Sequence, residues 1–357
     1  MFTNTSRDPA DPKLRNRHEE ARNRFRATRA RPVPTASDTF AETHYSARPD
    51  EPPVTIRPTS AGVDLAGWAP AHRDQIQADL NRTGAVLFRD FGISSDEVFE
   101  HTAEVLMANL YTGYGDLPTA RPGARVYKST PYPEDRSILF HNESSHLNSW
   151  PRTMCFCCTQ PALQGGETPI ADCRQVYSRI PADLRSEFES KGLLYVRNFV
   201  DGLDVSWRQF FRTEDRQVVE ERCRRKGSGY CWWGKDSLRI TQFRPAVARH
   251  PETGETTFFN QVLLHHTSSL DPDVASALRA EFDAEELPRQ VLFGDGTAIP
   301  DSAIQKLQSA YAESARAFSW QSGDLLLIDN MLVAHSRNPY RGPRLVLVAM
   351  GNMLEQK

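Results

Sequence analysis

The sequence predicts an α+β fold, a single domain with an antiparallel sheet core and helices set into it. Three observations carry this. Short apolar runs with strand character stand at both ends of the body of the chain. Stretches with helical periodicity lie between and beside them. After the first fifty or so residues no shift in composition and no linker divides the chain, and no internal repeat appears.

Residues 1–50 stand apart. "SRDPADPKLRNRHEEARNRFRATRARPVP" is rich in Arg and Pro and poor in aliphatics. Such a stretch has too little apolar surface to fold alone, so a flexible or loosely docked arm is expected there, with the domain proper over 51–357. In the body, "AHRDQIQADLNRTG" has helical periodicity and ends on a Gly suited to a C-cap. "AVLFRDF" follows as a short strand. "SSDEVFEHTAEVLMANL" reads as a second helix, with Ser and Asp at its start and acid in its first turn.

Further on, "LLYVRNF", "LRITQFRPAVARH" and "TTFFNQVLLHH" read as strands, the last two joined by a hairpin-like "PETGE". "DPDVASALRAEFDAEELPRQV" and "DSAIQKLQSAYAESARA" read as amphipathic helices. The final stretch, "FSWQSGDLLLIDNMLVAHSRNPYRGPRLVLVAMG", returns to strands punctuated by turns.

Composition narrows the function classes. With 39% hydrophobic and 25% charged residues, the 357-residue chain can bury a sizeable core. A net charge of -3 carries no global signature for nucleic acid or an anionic membrane surface. No apolar run reaches the roughly eighteen residues of a membrane span. The N-terminus lacks an apolar leader run, so a cytoplasmic protein with reduced cysteines is expected. The six cysteines match no zinc module in spacing, and Cys155, Cys157 and Cys158 in "TMCFCCTQP" read as strand packing.

One short stretch departs from this ordinary background. "ILFHNESSHLN" places two histidines and a carboxylate within six residues of a chain that has ten histidines in all. If "SILFHNE" is a strand, its alternation turns His141 and Glu143 to the same face, and His146 at an odd offset away from it. Two donors hold a metal poorly, so a third is expected from elsewhere. His335, beyond the turn at Asp329-Asn330, is the best placed, with the pair His265-His266 as a rival. Two His and one carboxylate leave three of six octahedral positions open, the pattern of non-haem Fe(II) oxygenases, whereas a structural zinc site is filled.

Nearby residues suit a second ligand. Arg344 follows His335 by nine positions, and a guanidinium there can clamp a carboxylate through paired hydrogen bonds. In "QGGETPIAD" two glycines permit close backbone approach, and Thr168 offers a hydroxyl. A dicarboxylate keto acid would then chelate the metal at one end and bind Arg344 and Thr168 at the other.

Four stretches together, "VYKSTPYPEDRSILFHNESSH", "QPALQGGETPIAD", "DSLRITQFRPAVARHPETGETTFFNQ" and "FSWQSGDLLLIDNMLVAHSRNPYRGPR", resemble the taurine-dioxygenase-like Fe(II)/2-oxoglutarate-dependent oxygenases. The likeness is to the branch typified by the syringomycin-biosynthesis hydroxylase, near clavaminate synthase, and covers about residue 60 to the C-terminus. It implies a double-stranded β-helix, or jelly roll, with surrounding helices. It implies Fe(II) on His141, Glu143 and His335. It implies 2-oxoglutarate on Thr168 and Arg344, with Arg341 as a competitor for the second position, and O2 as the other cosubstrate. Related halogenases lack the carboxylate, so Glu143 favours oxidation.

The implied reaction couples oxidative decarboxylation of 2-oxoglutarate, to succinate and CO2, to attack on an unactivated C–H bond. The expected outcome is hydroxylation, with desaturation, cyclisation or epoxidation as alternatives. The implied substrate is an amino acid or a derivative, free or tethered to a carrier protein, in specialised metabolism. Arg244 is a candidate partner for its carboxylate or else a brace for the sheet. Asn142 and Gln261 are candidate polar contacts, and His146 stands where relatives often carry an aromatic. Two other classes remain: a Zn2+ or Mn2+ hydrolase or isomerase, which needs neither Arg344 nor Thr168, and a non-catalytic scaffold of a biosynthetic assembly.

Overall fold

The computed structural model describes residues 41–44, 50–112, 117–129, 131–199, 206–270, 272–283 and 286–356. Most of the expected arm therefore lies outside the described residues. Its described part includes the strand Ala41–His44, which pairs antiparallel with Val54–Pro58.

Period-two alternation organises the largest sheet. Seven strands run in the order Ala41–His44, Val54–Pro58, Ala85–Phe88, Asp324–Asp329, Ser149–Gln160, Leu345–Glu355, Tyr127–Lys128. One face carries Val86, Phe88, Cys155, Cys157, Leu325 and Leu327 and packs under helices through Ile76, Leu80, Phe99 and Ala103. The other carries Leu87, Met154, Phe156, Leu326, Val346, Val348 and Met350 and packs inward with Ile170 and Val333 of a second sheet.

That second sheet has four strands, in the order Ala315–Arg316, Ile170–Asp172, Val333–Arg337, Ile138–His141. Its outer face, through Ala171 and Ala334, is covered by Val176, Ile304, Leu307 and Tyr311 from flanking helices. The two sheets, antiparallel except where Val54–Pro58 pairs parallel with Ala85–Phe88, pack inner face to inner face as the expected jelly roll, and each is sealed on its outer face by helices. A further four-stranded sheet, Gly229–Trp233, Ser237–Arg244, Leu193–Phe199 and Arg289–Phe293, flanks this body.

The helix Arg73–Thr83 ends where its sequence says it should. Gly84 adopts a left-handed φ of 79°, and its N–H donates to the Leu80 carbonyl at 2.6 Å. A Cβ there would meet Val333 Cγ2 at 2.4 Å, so space as well as backbone demands glycine. The helix Asp96–Leu106 starts on the Ser95 hydroxyl, which accepts the Val98 N–H, with Asp96 and Glu97 in its first turn.

Three expected elements differ. "TTFFNQVLLHH" is strand only at Thr256–Thr257; Val262–His265 coils into a helical turn, because tertiary packing of Val262 and Leu263 overrides β propensity. The long helix expected from residue 271 stops at Glu281, and Arg289–Phe293 pairs with Leu193–Phe199 as a strand after Pro288. The strand through "LRITQFRPAVARH" breaks after Arg244, where Pro245 cannot donate to the ladder, and resumes as Ala248–Arg249 across the "PETGE" turn from Thr256–Thr257.

All six cysteines are free thiols, five of them buried. Burial pushes the Cys157 and Cys158 thiols up to about 12, which suits packing rather than reactivity. Among the described residues no helix is long and apolar enough to cross a membrane.

Candidate metal centre

The inner end of the second sheet brings the two histidines together. Strands Val333–Arg337 and Ile138–His141 pair antiparallel, and His335 sits directly opposite His141. Their rings lie 4.3 Å apart between centroids. Glu143 reaches the same point by a different route from the one its spacing suggests. The strand ends at His141, and Glu143 lies in the turn that follows. Ser144 then takes a left-handed φ of 56°, a strained conformation for a non-glycine residue and common at functional sites.

Each side chain of the trio is held by its neighbours. His141 Nδ1 bonds the Leu139 carbonyl at 2.8 Å, leaving Nε2 facing Glu143 Oε2 at 3.9 Å. Glu143 Oε1 accepts from the Ser144 N–H at 2.9 Å and from the Ser144 hydroxyl at 3.1 Å. Oε2 is the oxygen that faces His141. Asn330 grips the Glu143 backbone from both sides: its Oδ1 accepts the Glu143 N–H at 2.7 Å, and its Nδ2 donates to the Glu143 carbonyl at 3.0 Å.

Asn330 is itself fixed by Asp329. That carboxylate caps the turn through the Met331 and Leu332 N–H groups and accepts from Arg152 and buried His250.

One ligand atom from each of His141, Glu143 and His335 lies within 4.8 Å of the other two. Bonds of about 2.1 Å place neighbouring octahedral ligands about 3 Å apart, so a small inward movement lets the three meet on one cation. Burial first, then the His141 charge, holds His335 well below the ordinary imidazole value, so it stays neutral with its lone pair available. His335 Nδ1 is buried with no hydrogen-bond partner. Two imidazoles and one carboxylate oxygen fit a non-haem iron ion. No group of three or more candidate ligands other than this one occurs among the described residues.

A cavity opens beside the trio. Thr168, Arg337 and Arg344 contribute its polar wall, and Met154, Phe156, Val346 and Val348 its apolar one. Thr168 Oγ1 accepts the Trp320 indole N–H at 3.1 Å, which turns its own O–H toward another acceptor. Arg344 spends its Nε–H on the Gly166 carbonyl at 2.9 Å, and its Cδ and Nε stand 3.0 Å from where a Gly166 Cβ would be. Only glycine, at φ 73°, admits the guanidinium so closely. Burial first, then the Arg337 charge, draws Arg344 below its ordinary value.

Other sequence-derived candidates fall elsewhere. Arg341 is exposed and pairs through its backbone with Gln164. Asn142 is fully buried and donates to the Asn330 and Val333 carbonyls. Gln261 is likewise buried, joining the Asn142 carbonyl to His265. Arg244 donates to the Leu147 and Phe243 carbonyls.

The rival pair also parts company with the metal. His266 bonds Ser268 and the Ile299 carbonyl. His265 packs 5.1 Å from His146, which also meets Tyr195 edge-on. Burial, then the charges of Arg289, Arg197 and Arg244, pulls His146 down to about 3. Sequence reasoning missed Ser144, Asn330, Trp320 and Arg337. Arg337 alone carried a usable signal, since it sits two residues after His335 on one strand and shares its face.

Residues 50–350 match the taurine catabolism dioxygenase TauD, TfdA family. The chain belongs to this family of Fe(II)- and 2-oxoglutarate-dependent dioxygenases, which use O2 as the second cosubstrate. It is similar to the dapdiamide synthesis protein DdaC of Enterobacter agglomerans, 38% identical over 273 residues covering 76% of this chain and 83% of that protein. It is also similar to a clavaminate synthase-like protein of Arabidopsis thaliana, 28% identical over 86% of this chain and 95% of that one. A solved taurine dioxygenase from Burkholderia xenovorans shares the fold, with a TM-score of 0.51 at 15% identity over 89% of this chain and 95% of that chain.

Proposed function

We propose that His141, Glu143 and His335 bind the Fe(II), that Thr168 and Arg344 seat 2-oxoglutarate, and that the enzyme oxidises a C–H bond of an amino-acid-derived small molecule in specialised metabolism. The observation that carries the site is the convergence of the trio at one end of a cavity whose wall holds Thr168 and Arg344. The substrate class draws on the likeness to a dapdiamide synthesis protein.

When bound, the iron with 2-oxoglutarate and O2 supplies the oxidant for an unactivated C–H bond. The chain's own residues do the ordering. Glu143 offers one oxygen because Ser144 holds the other, so three positions stay open for the cosubstrates. The Arg344 Nη edge meets the distal carboxylate with paired donors, and the Thr168 O–H adds a third. Met154, Phe156, Val346 and Val348 keep water from the reacting end of the cavity. The test is succinate release from the Fe(II)-loaded enzyme against a panel of amino acids and their amides. At least one should raise the rate about tenfold over the substrate-free rate, a gain of about 1.4 kcal/mol in barrier. No stimulation by any of them would contradict the substrate class.

A further inference from the structure

The cavity wall contains a cation that the reading above leaves without work. Arg337 is buried on the strand that carries His335 and lines the cavity. Its guanidinium donates to three backbone carbonyls, those of Tyr132 at 3.1 Å, Pro133 at 2.5 Å and Arg136 at 2.5 Å. The Glu134 carbonyl accepts the Tyr340 N–H at 2.8 Å. Four carbonyls of one exposed segment, 131–137, are thus turned inward onto the strand and turn that follow His335.

The segment's position gives that grip a consequence. It runs between Ser129 and Ile138, both in the cavity wall, and leads directly into the strand bearing His141. The Arg337 guanidinium also lies 5.1 Å from the Tyr340 ring, and the Arg344 guanidinium 5.5 Å from the same ring. One tyrosine therefore spaces the two cations. A planar fork of donors can hold several carbonyls at once, which an ammonium cannot do in the same geometry. Three carbonyls of one segment gathered on a single guanidinium point to a geometric task for that side chain.

We propose that Arg337 is a positioning residue that fastens segment 131–137 over the cosubstrate end of the cavity and, through Tyr340, sets where Arg344 presents its guanidinium. The second half rests on Arg344 being the 2-oxoglutarate anchor. The segment's residues are exposed, so its carbonyls can reach water when released, and loss of the grip loosens the segment locally rather than unfolding the domain.

The experiment compares the full-length wild type with Arg337→Gln and Arg337→Lys. Trypsin cleavage after Arg136 is followed by mass spectrometry on metal-free protein. Hydrogen exchange of the peptide containing the Tyr340 amide is measured alongside. Titration then gives Mn(II) affinity, and 2-oxoglutarate affinity on Mn(II)-loaded protein. Both variants should be cut after Arg136 about tenfold faster, exchange Tyr340 faster and bind 2-oxoglutarate about tenfold more weakly, with Mn(II) affinity within about twofold of wild type. Arg337→Lys keeps the charge without the fork, so it decides the question should Arg337→Gln fail to fold.

Wild-type cleavage and 2-oxoglutarate binding in both variants would overturn the proposal, as would equal losses of Mn(II) and 2-oxoglutarate affinity. Failure of the wild type itself to bind 2-oxoglutarate would refute the functional reading and with it the role toward Arg344. The cleavage and exchange results would still decide the fastening.

Discussion

The two oxygens of Glu143 have different neighbours. Ser144 donates to one with its N–H and hydroxyl, while the other faces His141. Asn330 holds the backbone of the same residue by both its polar groups and also donates to the Pro151 carbonyl. Removing that side chain leaves three backbone groups unpaired at a buried position. Asn330→Ala is therefore expected to cost about 2–4 kcal/mol in urea denaturation and to weaken Mn(II) binding about 10- to 100-fold. An unchanged Mn(II) affinity would count against this positioning role. At this scale the sequence showed residue types and spacing, which single out His141, Glu143 and His335. It did not show that Glu143 lies beyond its strand, because a turn at Ser144 with positive φ has no reliable signature in a non-glycine residue. Nor did it show that Asn142 and Gln261 are buried, because polarity is visible in a sequence and burial of polarity is not.

Elements announced themselves where local and tertiary preferences agree. The helix Arg73–Thr83 has its periodicity, its terminal Gly84 and its following strand all in register with the fold. Gly84 additionally touches the strand that leads to His335, through Val333. Gly84→Ala is expected to destabilise by about 2 kcal/mol, since it strains the left-handed residue and overpacks Val333 together. Equilibrium unfolding measures this, and a loss below about 0.5 kcal/mol would show that the contact relaxes freely. Where local and tertiary preferences conflict, the sequence misled. Val262–His265 coils although it is rich in β-branched and aliphatic residues, because the Asn260 carboxamide accepts the Val262 N–H and Tyr195 accepts that of Gln261. Arg289–Phe293 becomes a strand because Leu193–Phe199 offers it an open edge. Neither partner is local, so neither effect could be read from a window of sequence.

For the whole molecule, two sheets bury their inner faces together, and the candidate centre lies where an end of that core meets the cavity. The jelly roll became legible through the order of four motifs, since strand alternation alone yields only an antiparallel sheet. The buried histidines tie stability to pH. His146 falls to about 3, chiefly by burial, while in the unfolded chain it titrates near about 6.5. A histidine with a lowered folded value contributes stability above about pH 6.5 and loses it as pH falls, because the unfolded chain takes up the proton first. The metal-free protein should lose stability from about pH 6.5 downward, and His146→Gln should reduce that slope by up to about one proton. Identical slopes in the two proteins would exclude His146 as a source. The central claim concerns the iron. Fe(II) and 2-oxoglutarate added anaerobically to the purified protein should produce the visible charge-transfer band of the chelate, and Glu143→Ala and His335→Ala should each abolish it. No band in the wild type, or the same band in both variants, would contradict the assignment.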